Sequence, residues 1–241
     1  MVPLKQLSLL FVTLFLLGGA LTFPLYKFDW HKFSHSSVFI KILFWAPIFA
    51  VFILLLYAGG RERATFLATI LLICLWEISR PAIERPILWI YWLGFAGALS
   101  HLVLIGIDYP KRMVGILITL CLATVLADVA AFFAGNYIGK HNLPRVLNPN
   151  KSWEGVAGEL VGASLGVLLV NVFVQPVINK WIFIPIGIGA IIGDISNSYF
   201  KRDAGVKDWS AAIPGHGGFT DRLSSLAGSS LLVYWFLKLL N

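Results

Sequence analysis

Hydrophobic residues fill most of this chain in long runs that charged residues interrupt. Four uncharged runs reach about 20 residues, the length at which a helix crosses a bilayer core. They are 6–26, 42–60, 86–107 and 160–179. Shorter runs at 113–127, 181–193 and 223–237 reach that length only if a helix carries a polar residue into the membrane or ends near its surface. Charge inside a membrane is costly and usually functional, so these junctions are where we expect the chemistry.

The runs predict an all-α, polytopic integral membrane bundle of about eight transmembrane helices. The predicted helices span about 6–26, 39–59, 64–80, 86–107, 113–135, 155–175, 179–200 and 223–240. The third contains Glu77 and Arg80, which predict a short, partial or tilted span. The first lacks the small-residue cleavage pattern of a signal peptide, so we expect it to be a membrane helix.

Polar residues are concentrated in the second half of the chain. We therefore expect N-terminal transmembrane helices at 1–110 and a C-terminal catalytic region at 111–241, together forming one structural unit. The polar connections at 136–154 and 201–222 are separated by two helices, so both emerge on one face of the membrane. Both connections are basic, which predicts that this face is cytoplasmic.

Composition supports this class of protein. Of the 241 residues, 58% are hydrophobic and only 13% are charged, which excludes an ordinary soluble domain. The net charge of +7 is explained either by basic cytoplasmic loops or by an anionic substrate. The two cysteines, Cys74 and Cys121, lie in apolar runs and are interpreted as core residues, which argues against a disulfide framework.

The end of the seventh predicted helix carries acidic, hydroxyl and basic side chains. If the helix continues, Asp194, Ser198, Lys201 and Arg202 line one face. The simpler alternative is a buried Asp194 satisfied by a neighbouring cation.

The loop that follows is rich in glycine. Gly215, Gly217 and Gly218 flank His216 and allow the backbone to approach a ligand closely, with exposed N–H groups that suit a phosphate. An ordinary turn with a surface histidine is the alternative. The cations before this turn, and Arg222 after it, favour the phosphate site.

Acidic residues on both sides of this loop suggest a metal site. Asp194 and Asp221 supply the hard oxygen ligands that suit Mg²⁺, which is usually shared between carboxylates and substrate phosphates. A third acid, Asp128, lies on a helix face that small residues leave open. In the sixth helix, Gly158 and Gly162 form a small-xxx-small pattern, which favours close helix packing.

These motifs together resemble the phosphatidate cytidylyltransferases, also called CDP-diacylglycerol synthases. The resemblance covers residues 128–225, and the N-terminal helices resemble the family only in being hydrophobic. The C-terminal signature is Ser198-x-x-Lys201-Arg202, Lys207-Asp208 and Pro214-x-His216-Gly217-Gly218-x-x-Asp221-Arg222. The upstream block is Asp128, Gly135, Gly139-Lys140 and Pro149-x-Lys151-Ser152-x-Glu154-Gly155.

The resemblance implies transfer of a cytidylyl group from CTP to phosphatidic acid, giving CDP-diacylglycerol and pyrophosphate. Mg²⁺ would be held by Asp194 and Asp221. The resemblance implies catalytic roles for Lys201, Arg202, Lys207, Asp208, His216 and Arg222. It implies substrate-binding roles for Asp128, Lys140, Lys151, Glu154, Ser198, Gly217 and Gly218.

One position departs from the family pattern. The family motif continues Asp-Arg-x-Asp, whereas this chain has Ser224 in place of the second acid. This departure motivates an alternative function, a catalytically weakened homologue that acts as a lipid-binding or partner protein. An ion-coupled transporter that uses Asp128 and Asp194 is the third hypothesis.

The expected partners are CTP, phosphatidic acid or a related anionic lipid, and the membrane, with no nucleic acid. Homodimer formation is left open. The resemblance implies an integral protein of the inner (plasma) membrane whose active site faces the cytoplasm.

Overall fold

The chain folds into a helical bundle in a computed structural model that describes residues 4–144, 151–174, 179–214 and 217–240. Within these ranges it forms nine α-helices, and its β-pairing is confined to isolated bridges. The helices are α1 (Leu4–Thr22), α2 (Trp30–Ser34), α3 (Ser37–Tyr57), α4 (Gly60–Ala82), α5 (Ile87–Asp108), α6 (Met113–Ile138), α7 (Trp153–Leu169), α8 (Phe183–Asp203) and α9 (Phe219–Leu239). The eight long helices correspond to the eight predicted from the apolar runs.

The surface of the bundle is suited to lipid. Seven stretches of the described chain are helical, long enough and apolar enough to cross a membrane. Large apolar side chains are exposed on them, including Leu54 at 70% and Ile90 at 69%. Such faces are unfavourable in water, because burial of apolar surface drives folding there. The prediction of an all-α polytopic membrane bundle is confirmed.

Helix α4 differs from its prediction. It runs for 23 residues and is one of the seven candidate spans, so the expectation of a short helix is wrong. Glu77 does not end the helix, because its carboxylate is buried and accepts backbone hydrogen bonds from Phe219 and Thr220 of α9. A buried acid is tolerated inside a helix when hydrogen-bond donors satisfy it.

Small residues bring α6 and α7 into close contact. A Cβ atom on Gly162 would overlap the carbonyl oxygen of Leu126, and one on Gly158 would lie 2.8 Å from the Cβ of Ala134. Interiors are packed too densely to absorb such an overlap without movement. The interpretation of Gly158 and Gly162 as a close-packing pattern is confirmed.

Helices α8 and α9 approach each other equally closely. A side chain on Gly193 would overlap the carbonyl oxygen of Ser224, and one on Gly228 would overlap the carbonyl oxygen of Gly189. This contact places Gly193, the residue before Asp194, against Ser224 and Ser225 of α9.

Two buried hydrophobic clusters connect α6, in the middle of the chain, to helices from both ends of the chain. Ile105 of α5 shares one buried cluster with Ile116 of α6 and Val233 of α9. A second cluster joins Leu7 of α1 to Ile118 of α6. Both ends of the chain therefore pack on α6.

The helices that flank the two polar connections extend further than expected. Helix α6 ends at Ile138 and α7 begins at Trp153, while α8 ends at Asp203 and α9 begins at Phe219. The connections are thus 139–152 and 204–218 rather than 136–154 and 201–222. Lys201 and Arg202 lie in the last turn of α8 and Asp221 in the first turn of α9, where each charge is favourable to the helix dipole.

Candidate active site

Four helices and one loop bring charged groups together at the end of the bundle where the two connections lie. We call this group the inner cluster. Its members are Asp128 of α6, Lys151 of the first connection, Glu159 of α7, Asp194 of α8, and Arg222 and Ser225 of α9. The cluster is built from helices that the close-packed glycines hold together.

Lys151 is the central cation of the inner cluster. Its Nζ atom donates to Oε1 of Glu159 at 2.9 Å and forms an ion pair with Asp194. The side chain of Lys151 is 22% exposed, and that of Asp194 is 28% exposed. The pair can therefore be reached by a solute, whereas Glu159, at 1%, cannot.

Asp128 lies on the α9 side of the inner cluster. Its Oδ1 accepts a hydrogen bond from Oγ of Ser225 at 3.0 Å, and its charge interacts with those of Lys151 and Arg222. Asp128 is exposed although it lies in the middle of a long apolar helix. An acid at that position in an apolar span is a candidate functional residue.

A second group holds the Gly-rich loop, and we call it the loop anchor. It comprises Glu77 of α4, Tyr91 of α5, Asn197 and Lys201 of α8, Trp209 of the second connection and Asp221 of α9. At its centre, Asp221 accepts hydrogen bonds on both side-chain oxygens. Oδ1 accepts from Lys201 Nζ at 2.7 Å, and Oδ2 accepts from the backbone N–H of Trp209 and of Gly218, each at 2.9 Å.

Asn197 links the loop anchor to the first half of the chain. Its Oδ1 accepts from the hydroxyl of Tyr91 at 2.9 Å and from Nε1 of Trp209 at 2.7 Å. The rings of Tyr91 and Trp209 also stack, with centroids 5.8 Å apart. Aromatic and amide contacts thus fix Trp209, the residue after Asp208.

The residues implied by the resemblance fall into distinct settings. Asp128, Lys151, Asp194 and Arg222 meet in the inner cluster, and Lys201 meets Asp221 in the loop anchor. Four further cations and acids are exposed: Lys140, Arg202, Lys207 and Asp208. His216 and Gly215 lie outside the described residues.

Other predicted residues have local structural partners. Glu154 accepts from Nδ1 of His141 at 2.6 Å, which ties the first connection to the start of α7. Ser198 is buried in α8. Gly217 and Gly218 lie next to carboxylates. A Cβ on Gly217 would lie 2.9 Å from Oδ2 of Asp221. Gly217 also has φ of +79°, which disfavours other residues there.

Five polar residues of these groups were missed from the sequence: Glu77, Tyr91, Glu159, Asn197 and Ser225. Glu77 and Glu159 are acids inside apolar helices, the one signal that could have identified them as functional. Nothing local marks Tyr91 or Asn197, because their partners lie far away in the chain.

The two predicted metal ligands each face a lysine. Lys151 pairs with Asp194, and Lys201 pairs with Asp221. Among the described residues, no three His, Cys, Asp or Glu side chains form a metal-binding group. Carboxylate oxygens are ligands that Mg²⁺ prefers. An ion bound by these two acids would have to displace Lys151 and Lys201 from them.

Known proteins resemble this chain in sequence. Residues 84–240 match the model of the cytidylyltransferase family. A phosphatidate cytidylyltransferase of Mycobacterium leprae is 36% identical over 135 residues, which are 55% of this chain and 43% of the relative. A phosphatidate cytidylyltransferase of Brucella suis is 32% identical over 219 residues, 87% of this chain and 78% of the relative.

A plant protein gives a third comparison. Phosphatidate cytidylyltransferase 5, chloroplastic, of Arabidopsis thaliana is 31% identical over 223 residues, 86% of this chain and 53% of the relative. The chain spans less than half the length of the mycobacterial relatives and about half that of the plant relative. With the family match and the Brucella alignment covering most of the bundle, these similarities show that the chain belongs to the cytidylyltransferase family.

Proposed function

We propose that this protein transfers a cytidylyl group from CTP to phosphatidic acid, forming CDP-diacylglycerol and pyrophosphate. The observation that carries the proposal is that Lys151 and Lys201 each form an ion pair with an acid, Asp194 of α8 and Asp221 of α9. Exposed cations lie at the same end of the bundle. Two anionic substrates can meet only where such positive charge offsets their repulsion.

In the proposed reaction, an oxygen of the lipid phosphate attacks the α-phosphorus of CTP. A new phosphorus–oxygen bond forms, the bond to the β-phosphate oxygen breaks, and pyrophosphate leaves with that electron pair. Lys151, Lys201 and Arg222 hold and neutralise the phosphates, and the loop anchor orients the segment that carries Lys207. This role requires positioning and electrostatic stabilisation rather than a covalent intermediate.

We propose that Asp194 and Asp221 hold Mg²⁺ together with the substrate phosphates. When bound, the ion would withdraw charge from the phosphate oxygens. Ser224 is buried one turn after Asp221 and could contribute a hydroxyl oxygen where the family has a carboxylate.

The decisive experiment incubates the purified full chain with CTP, Mg²⁺ and phosphatidic acid in mixed micelles. We expect stoichiometric release of pyrophosphate and formation of CDP-diacylglycerol, with loss of both products when EDTA is added. Tight binding of CTP and lipid without product would instead support the weakened homologue. Ion flux in proteoliposomes, without turnover of CTP, would support the transporter.

The orientation of the protein in the membrane and its oligomeric state are separate proposals. The basic connections predict that the site faces the cytoplasm, where CTP is made available, and that the protein resides in the inner membrane. Labelling of an introduced Lys140→Cys from the cytoplasmic side tests the orientation. Light scattering in detergent tests whether the chain forms a homodimer.

A further inference from the structure

Glu77 is a buried acid that lies outside the region matched to the family, which begins at residue 84. It belongs to α4, an otherwise apolar span, and only 1% of its surface is exposed. A buried carboxylate without partners would be strongly destabilising. The hydrogen-bond partners of Glu77 should therefore explain how its carboxylate can be buried.

Four donors surround the Glu77 carboxylate. Oε1 accepts from Oγ of Ser210 at 2.7 Å and from the backbone N–H of Phe219 at 2.9 Å. Oε2 accepts from the backbone N–H of Thr220 at 2.9 Å and from its Oγ1 at 2.8 Å. All four donors belong to the second connection or to the first turn of α9.

These contacts make Glu77 the cap of a helix to which it does not belong. The first N–H groups of a helix have no partner within that helix, and a side chain at the N-cap usually accepts from them. The N-cap residue of α9 is Gly218, which has no side chain. A Cβ atom at Gly218 would lie 2.5 Å from Oε1 of Glu77, so the glycine leaves room for the capping carboxylate.

The same turn carries the acid of the loop anchor. Asp221 accepts from the N–H of Gly218 and of Trp209, and Trp209 is the neighbour of Ser210. The segment 207–210 and the start of α9 are therefore held between two carboxylates, Glu77 on one side and Asp221 on the other. Moving Glu77 would move the segment that carries Lys207 and Asp208.

We propose that Glu77 is a positioning residue of the active site, which fixes the start of α9 and the segment 207–210 so that their charged groups face the substrate phosphates. Glu77 does so by hydrogen bonds to Ser210, Phe219 and Thr220 and does not touch the substrate. The proposal rests on the proposed function for the identity of the substrate, CTP.

The test compares Glu77→Gln and Ser210→Ala with the wild type and with Glu62→Gln. Glutamine keeps the volume of Glu77 but directs an amide N–H₂ at donors, whereas Ser210→Ala removes one of the four hydrogen bonds. Glu62 is an exposed acid near the start of the same helix, so its variant controls for loss of charge on α4. Each protein is assayed for CTP turnover and for backbone hydrogen exchange.

We expect Glu77→Gln to lower kcat/KM for CTP by about a hundredfold and Ser210→Ala by about tenfold, in line with the loss of charge-assisted hydrogen bonds. Hydrogen exchange should rise in peptides covering 205–222 and stay unchanged in those covering α5 and α6. Glu62→Gln should match the wild type in both measurements.

Two results would overturn the proposal. One is wild-type kinetics and exchange in both Glu77→Gln and Ser210→Ala. The other is a uniform rise in exchange throughout the bundle, since Glu77 would then support only the general fold. Inactivity of the wild type with CTP and lipid would contradict the proposed function instead, and the exchange measurement would still decide the role of Glu77.

Discussion

Two lysine residues of the candidate site, Lys151 and Lys201, form ion pairs with its acids. Lys151 reaches Asp194 and Glu159 at once, and Lys201 reaches Asp221. An amine on a long, flexible stem can exchange a carboxylate partner for a phosphate without movement of the backbone. We infer that both lysines move from their acids to the substrate when phosphates and Mg²⁺ arrive.

Substitution of the predicted metal ligands tests this arrangement. Asp194→Asn and Asp221→Asn should each lower turnover by about two orders of magnitude or more, as expected for loss of an electrostatic stabiliser. Pyrophosphate release at saturating CTP measures the effect. Asp221→Asn should also lower the unfolding temperature, because Asp221 accepts from Lys201 of α8 and from Trp209 and Gly218 of the second connection. Near wild-type turnover in both variants would remove the metal assignment.

Ser224 occupies the position at which the sequence motif leads us to expect a second acid. It is 3% exposed and its backbone packs against Gly193. An acid there would be buried close to Asp221, and both burial and like charge disfavour its ionised form. Ser224→Asp should therefore be less stable than the wild type without Mg²⁺ and gain more from added Mg²⁺. Thermal unfolding with and without Mg²⁺ measures both effects, and an identical response would place position 224 outside the metal site.

At the scale of the helices, glycine residues allow the helices that carry the acids to pack closely against one another. Helices α6 and α7 meet at Gly158 and Gly162, and α8 and α9 meet at Gly193 and Gly228. Membrane helices have little hydrophobic drive to associate, so close van der Waals packing holds them together. The inner cluster depends on these contacts, because its members lie on four different helices.

Gly193→Ala should disrupt the α8–α9 contact. The added Cβ would overlap the backbone of Ser224, and overpacking of this kind costs about 1–3 kcal/mol. We expect a lower unfolding temperature in detergent together with reduced turnover, because Asp194 is the next residue. Gly94→Ala is the matched control, since a Cβ there meets nothing within 4 Å. Equal stability of the two variants would contradict the close contact.

For the whole molecule, the two connections and the helix ends beside them place basic residues at one end of the bundle. Lys140, Arg202, Lys207 and Arg222 are exposed there. A cluster of one sign at a cleft raises the local concentration of anionic solutes. The exposed cations at this end are therefore expected to attract anionic solutes, such as the substrates of the proposed reaction.

Neutralising these exposed cations should affect binding more than folding. Lys207→Gln and Arg222→Gln should each raise KM for CTP or for the lipid severalfold and leave the unfolding temperature in detergent nearly unchanged, because exposed charges contribute little to stability. Steady-state kinetics and thermal unfolding on the same preparations test this. Variants with a clearly lowered unfolding temperature but normal specific activity would show that these cations stabilise the fold rather than bind substrate.

Apolar runs and a long polar signature determine the class of membrane bundle, the eight long helices and the end of the molecule that carries the candidate site. These properties follow from local patterns, since helix length and hydrophobicity are set by neighbouring residues. Only the tertiary structure decides that Glu77 caps α9, that Glu159 holds Lys151, and that Tyr91 reaches Asn197. Such partners are brought together by helix packing, and the pattern along a single helix carries no information about which distant donor a buried acid meets.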